Sequence, residues 1–315
     1  MGKKTVGSGV MLLLMGWVFH RHGSEFAGAL EVLSLSDLLP LMAAQVVMIA
    51  LTGHPFKTLC ACHEAHLHFK EWVGLSYAGN LANYIAPLRP GLAVRFLYMN
   101  RRFGMSLSRM VVVTGAYTLL MFGVSVGIVV ATQPFLPFSE SLPGLEISLG
   151  IVTLSVVGSI MAPRICRLGW IQGHDRLRGL CQAFLDLLTR PGVLVGALLV
   201  FILINVMSAV TYYFAFLALG SSPPPLLLLF LVAVATIASW MAITPGNIGV
   251  TESLVGLILE MAAGDFATGF LATAVVRAGH VSVSILFGGP SLYYIMGRIA
   301  TKQAVSPGGD QEGRA

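Results

Sequence analysis

The chain has 315 residues, of which 56% are hydrophobic and 10% charged, and its mean hydropathy is +0.82. A soluble domain carries about 25% charged residues, so this composition excludes an ordinary soluble enzyme or binding module and implies an all-α polytopic membrane protein, whose apolar runs of about 20 residues cross the bilayer. The net charge of +5 is not a nucleic-acid footprint, because the Lys and Arg residues sit in short segments between apolar runs, as the positive-inside bias requires. A membrane β-barrel would need alternating segments of about 10 residues, and the sequence has none.

In chain order, Lys3 and Lys4 precede a first apolar run at 5–20. This start resembles a signal peptide, with Ala27-Gly28-Ala29 as a weak cleavage site, but an uncleaved first helix is the expectation. A second run covers 38–52, and a His-rich polar loop is expected over 53–71. The semi-apolar stretch "EWVGLSYAGNLANYIAPLRPGLAVRFLYMNRR" follows, interrupted at Pro87 and Pro90. Further runs cover 109–132 and 147–162, and a basic loop at 163–190 leads to a long run at 191–219. After the turn "SSPPP", apolar pieces at 226–243 and 251–263 flank "ITPGNIGVTE". The last run, 266–297, would be about 48 Å long as one helix, so Gly288-Gly289-Pro290 is expected to bend or end it.

The Lys and Arg distribution is satisfied by six full spans plus two broken re-entrant hairpins, at 72–102 and 226–263, with both termini cytoplasmic in a cell membrane. Residues 1–300 then form one bundle, and 301–315 a short disordered tail. Pro90-Gly91 and Pro245-Gly246 fall about half the chain apart. Discontinuous helices at matching places in two halves are the pattern of an inverted repeat with a binding site at its interface, here 1–150 and 151–300. The four cysteines, Cys60, Cys62, Cys166 and Cys181, fall in polar loops and are expected to be reduced if those loops are cytoplasmic.

From Pro191 to Gly264 the only charged side chains are Glu252 and Glu260. Pro245 and Gly246 end one helix and Asn247 or Gly249 caps the next, which puts Glu252 in its first turn. The plain structural role is an acid at a helix N-terminus, worth about 0.3–1 kcal/mol. An ionisable group near the bilayer centre costs about 2.5–3.5 kcal/mol and is normally paired or turned toward a watery cavity, so a functional role is favoured. Arg277 stands alone among Lys, Arg, Asp and Glu between 266 and 297; its plain role is snorkelling, but its mid-run position calls for a partner, for which Glu252 is expected. Arg89 and Arg95 flank Pro90-Gly91, either as positive-inside anchors or in a functional role. Asn80 and Asn83 share a helical face, for interhelical hydrogen bonds or as donors to a ligand. Buried charges need partners, so Glu252 is expected to balance Arg277 or Arg95, and desolvation would favour its protonated form if that partner were withdrawn. Gly246 and Gly249 are expected to be needed where the chain turns, with valine at Gly249 more harmful than valine at Gly256.

"CACHEAHLH" at 60–68 places two Cys and three His close together, but at no standard zinc spacing, and scattered loop histidines are the plainer reading. No metal site, cofactor or catalytic set is expected, since no nucleophile triad or phosphate-binding loop is visible.

"NYIAPLRPGLAVR" and "TPGNIGVTE" are similar to two motifs of the lysylphosphatidylglycerol-synthase transmembrane-region family, also called flippase-like membrane proteins: Asn–x–Pro–x–Arg–x–Gly–x–x–x–Arg and Pro–Gly–Gly–x–Gly–x–x–Glu. Asn247 stands where that family usually has Gly, and Thr251 where it usually has Arg, which puts in doubt the salt bridge expected of relatives. The resemblance implies a flippase or scramblase for an anionic phospholipid or polyprenyl-phosphate-linked lipid. Asn80, Asn83, Arg89, Arg95, Glu252 and Arg277 would be its binding residues, and Pro87, Pro90, Gly91, Pro245, Gly246 and Gly249 its structural motif. The alternative is a membrane enzyme or accessory subunit of a lipid-modifying or lipid-glycan pathway. The chain ends soon after its last span, so the soluble aminoacyl-transferase activity of some relatives is not expected. Its partners would be membrane lipids, a second copy of itself or a lipid-biosynthesis enzyme, and no nucleic acid.

Overall fold

A computed structural model describes residues 36, 38–85, 90–136, 175–239 and 249–305. The expected spans at 5–20 and 147–162, the signal-like start, Pro87, Arg89, Pro245 and Gly246 lie outside the described residues. Every regular element described is helical: α1 (Leu38–Leu51), α2 (Gly53–Ala61), α3 (Phe69–Ile85), α4 (Pro90–Phe103), α5 (Leu107–Thr132, continued by a 3-10 turn Gln133–Phe135), α6 (Asp175–Leu188), α7 (Pro191–Ala218), α8 (Pro225–Ser239), α9 (Val250–Ala263) and α10 (Phe266–Val305). Helices satisfy all but their terminal backbone N–H and C=O groups within the segment, which a lipid environment demands.

Four of these stretches, Leu38–Ala61, Leu107–Phe135, Pro191–Ala218 and Phe266–Ile299, are long and apolar enough to cross a membrane. They coincide with four of the expected runs. On α7, Val195, Leu199, Ile202, Leu203, Val206, Tyr213 and Leu217 are exposed, an apolar stripe that suits lipid.

Two expectations need correction. The segment 53–71 is not one polar loop: α2 extends the second run to Ala61, with Pro55, Phe56, Leu59 and Cys60 buried. Pro55 is tolerated because it lies in the first turn, where N–H groups have no intrahelical acceptor. Cys60 therefore sits on a spanning stretch rather than in a loop. Second, α10 runs unbroken through Gly288-Gly289-Pro290 to Val305, into the segment expected as a tail. The single hydrogen bond lost at Pro290 is outweighed by a long ladder on either side, and Gly288 has a packing role instead. A Cβ there would come within 2.6 Å of Leu81 Cβ and 2.9 Å of the Tyr77 carbonyl oxygen, so α10 and α3 touch nearly backbone to backbone. A third departure is chemical: Cys181, on α6, is disulfide-bonded, to a partner outside the described residues. A disulfide needs only two Cα atoms within about 7 Å, which loop assignment cannot reveal.

The chain forms two compact units. One comprises 1–48, 118–161 and 198–283 and contains α8 and α9; the other comprises 49–117, 162–197 and 284–315 and contains α3 and α4. The core of the first unit gathers Phe216, Leu231, Val255, Leu259, Phe270 and Ala272. Within it, Gly256 packs against α10: an added Cβ would lie 3.0 Å from the Phe266 carbonyl oxygen and 2.9 Å from its ring. Gly256 is thus no neutral comparator for Gly249, whose φ of 84° disfavours any side chain. Valine at either position is expected to be harmful, by clash at Gly256 and by backbone strain at Gly249.

In the second unit α3 and α4 meet at glycines. A Cβ on Gly91 would overlap the Gly79 carbonyl oxygen and come within 2.7 Å of Asn83 Oδ1. Gly91→Val is therefore expected to destabilise the protein by about 1–3 kcal/mol, as overpacking does. Gly115→Val, on an exposed face of α5 with nothing within 4 Å, should stay within about 0.5 kcal/mol. Thermal unfolding of the two purified variants in detergent checks this difference.

Candidate functional site

α9 begins at Val250, inside an apolar unit, where unpaired N–H groups at a helix start are costly. Glu252, at the third position of α9, meets this demand from within the helix. Its Oε2 accepts the Gly249 N–H at 2.8 Å, the reciprocal half of a capping box; Gly249 has no side chain to supply the other half. Its Oε1 accepts from Arg277 Nε on α10 in an ion pair. The Glu252 side chain is 4% exposed and that of Arg277 20%. Tyr212, on α7, lies buried near both charges and hydrogen-bonds Thr273 of α10. One carboxylate thus neutralises a cation, meets the positive end of a helix and joins α9 to α10.

In the other unit Arg95 projects from α4 between two aromatic rings. Its guanidinium carbon lies 5.0 Å from the Phe56 centroid and 5.7 Å from the Tyr117 centroid. It also donates to the Tyr117 oxygen, while that hydroxyl donates to the Thr52 carbonyl at 3.2 Å. Stacking of this kind contributes about 0.5–2 kcal/mol and fixes the planar head. Among the described residues the ion pairs are Arg277 with Glu252 and Arg102 with Glu71, so Arg95 has no carboxylate partner there. Asn83 Oδ1 accepts the Gly91 N–H at 2.9 Å, so this residue caps α4 from α3. Its position is exposed, and Asn80, a turn earlier, is half-buried.

Glu71 is a buried acid that sequence reasoning missed. It is fully buried in the first turn of α3; Oε2 accepts the His68 N–H at 2.9 Å, Oε1 accepts the Tyr98 hydroxyl at 2.6 Å, and Arg102 Nε lies 3.8 Å away. The signal that could have found it is a glutamate three residues after a helix start, with Tyr98 and Arg102 spaced to face it from α4.

Cys60 and Cys62 are free, buried thiols, and among the described residues no three His, Cys, Asp or Glu side chains come together as a metal cluster.

The lysylphosphatidylglycerol synthase TM region family matches residues 5–288, nearly the whole chain. The protein belongs to that family. No curated protein and no solved structure matches it. Thr251 is buried beside Glu252, whose cation is Arg277 on the next helix.

Because Glu252 neutralises a mostly buried Arg277, Glu252→Gln is expected to destabilise the protein by about 2–4 kcal/mol, toward the range for breaking buried pairs. The double variant Glu252→Gln/Arg277→Met removes the uncompensated charge and should recover at least half of that loss. Thermal unfolding of the single and double variants measures it; two additive losses would show that the two side chains do not act as a pair.

Proposed function

We propose that the protein translocates an anionic phospholipid or a polyprenyl-phosphate-linked lipid, with Arg95 contacting the phosphate. What supports this reading is the condition of that guanidinium: half-buried, stacked on Phe56 and Tyr117, hydrogen-bonded to a tyrosine, and without a carboxylate partner among the described residues. A guanidinium held in one plane offers paired N–H donors that match phosphate oxygens. In this reading the pairs α3/α4 and α8/α9 enter the membrane and return on the same side, both termini face the cytoplasm, and Arg89 and Asn80 belong to the phosphate's path. Arg277 is already occupied by Glu252 and serves to hold α9 on α10; an arriving phosphate would have to displace that carboxylate, which makes the pair a latch rather than a first contact.

Reconstitution into liposomes carrying a panel of labelled lipids tests this. The expected result is transfer of anionic lipids across the bilayer. Arg95→Ala should slow that transfer about 10- to 100-fold, the value of one or two charge-assisted hydrogen bonds, with Arg95→Lys in between and zwitterionic lipids little affected. Anionic transfer at the unaltered rate by Arg95→Ala would overturn the assignment.

A further inference from the structure

A pocket of about 270 Å³ lies in the unit that contains α3 and α4, and Arg95 is not part of its lining. Its wall includes His63 and Glu64, just past the end of α2; Arg109, in the first turn of α5; and Asp186, Thr189 and Arg190, at the turn from α6 into α7. All of these are at the ends of apolar spanning stretches, the level at which lipid head groups lie. Three features single the pocket out. The N-termini of the two long helices α5 and α7 both adjoin it, each bringing about half a positive charge. Charges of both signs surround it, Arg109 and Arg190 with Glu64 and Asp186, yet among the described residues none of the four is within ion-pair distance of another. Finally, His63 is only 7% exposed and its Nε2 has no hydrogen-bond partner, an omission that is costly for a buried polar atom.

Burial and then the field of Arg109 lower the His63 pKa from its ordinary value, with Asp186 opposing and Arg190 adding to the fall. The ring is therefore neutral at pH 7 and carries one donor and one acceptor. A plain anion would have to approach past two carboxylates, and a plain cation past two guanidinium groups and two helix N-termini. A ligand with both charges meets neither obstacle.

We propose that this pocket binds a compact zwitterion in which a phosphate and an ammonium group are linked by a short chain, of the phosphoethanolamine type. Arg109 and Arg190 take the phosphate where the helix N-termini of α5 and α7 adjoin, Asp186 and Glu64 take the ammonium, and His63 and Thr189 supply neutral hydrogen bonds. The same chemistry is presented by a free phosphoethanolamine and by the head group of a phosphatidylethanolamine. The site is independent of the translocation reading, since it shares no residue with it.

Isothermal titration of the full-length protein in phosphatidylcholine nanodiscs with O-phosphoethanolamine, inorganic phosphate and ethanolamine tests the proposal. A second arm measures retention of phosphatidylethanolamine against phosphatidylcholine by native mass spectrometry. Phosphoethanolamine should bind at least tenfold more tightly than phosphate or ethanolamine, or phosphatidylethanolamine should be selectively retained; the first result identifies a free solute as the source and the second a lipid. Arg190→Ala should weaken binding about tenfold, and Asp186→Asn should abolish the preference over phosphate. Both residues are exposed, so folding should survive, and unchanged thermal unfolding of the variants verifies that it does. Phosphate binding as tightly as phosphoethanolamine, with Asp186→Asn strengthening both, would make this a simple anion site and overturn the proposal. Absence of any binding or lipid preference in both arms would also overturn it.

Discussion

A carboxylate in an apolar helical unit is stable only if its charge is answered on every side, and Glu252 is answered three times. The Gly249 N–H, the positive end of α9 and the Arg277 guanidinium all converge on it. Each of those groups would itself be costly if left alone. A helix of 14 residues has little cooperative stability of its own; its apolar face and this one ionic anchor fix it on α10. The start of α9 in this apolar unit is tolerable because the helix begins with its own acceptor.

The first unit's solution recurs in the second with different chemistry. Glu71 uses one oxygen to accept the N–H that precedes its helix and the other to reach the next helix, as Glu252 does. Its main contact is the neutral Tyr98 hydroxyl, with Arg102 farther off. A glutamate in the third helical position can therefore do two jobs at once: it seals the helix start and sets the neighbouring helix. Arg95 shows the complementary case, in which two aromatic faces and the Tyr117 oxygen, rather than a carboxylate, hold the cation.

What the sequence revealed depended on whether the determining force was local. Apolar run length found four of the helices long enough to cross, because span length follows from bilayer thickness alone. The isolation of Glu252 and Arg277 in charge-free stretches pointed to their pairing, because an unpaired charge in such a place is prohibitive. Glu71 was hidden because the surrounding "HFKEWV" is polar enough to read as a loop edge, and its burial comes from α4 packing over it. The continuation of α10 through Gly288 and Pro290 was misread for a similar reason. Local turn signals were weighed there, while the close approach of Tyr77 and Leu81 to Gly288 is a tertiary fact. Gly256 was misread in the same way, as an ordinary helical glycine, since nothing in its neighbourhood announces Phe266.

The 28 residues of α7 contain no acidic or basic side chain, and as a helix they extend about 42 Å, against a hydrocarbon core of about 30 Å. Arg190 anchors one end at the interface; the other end has no charge to set its depth. Such a helix must tilt, or stretch the acyl chains around it, by an amount that depends on the host bilayer. Lipid chain length is thereby coupled to the angle of α7. The protein should register membrane thickness, and so be sorted toward, and work best in, bilayers of the thickness that lets α7 stand at its packed inclination.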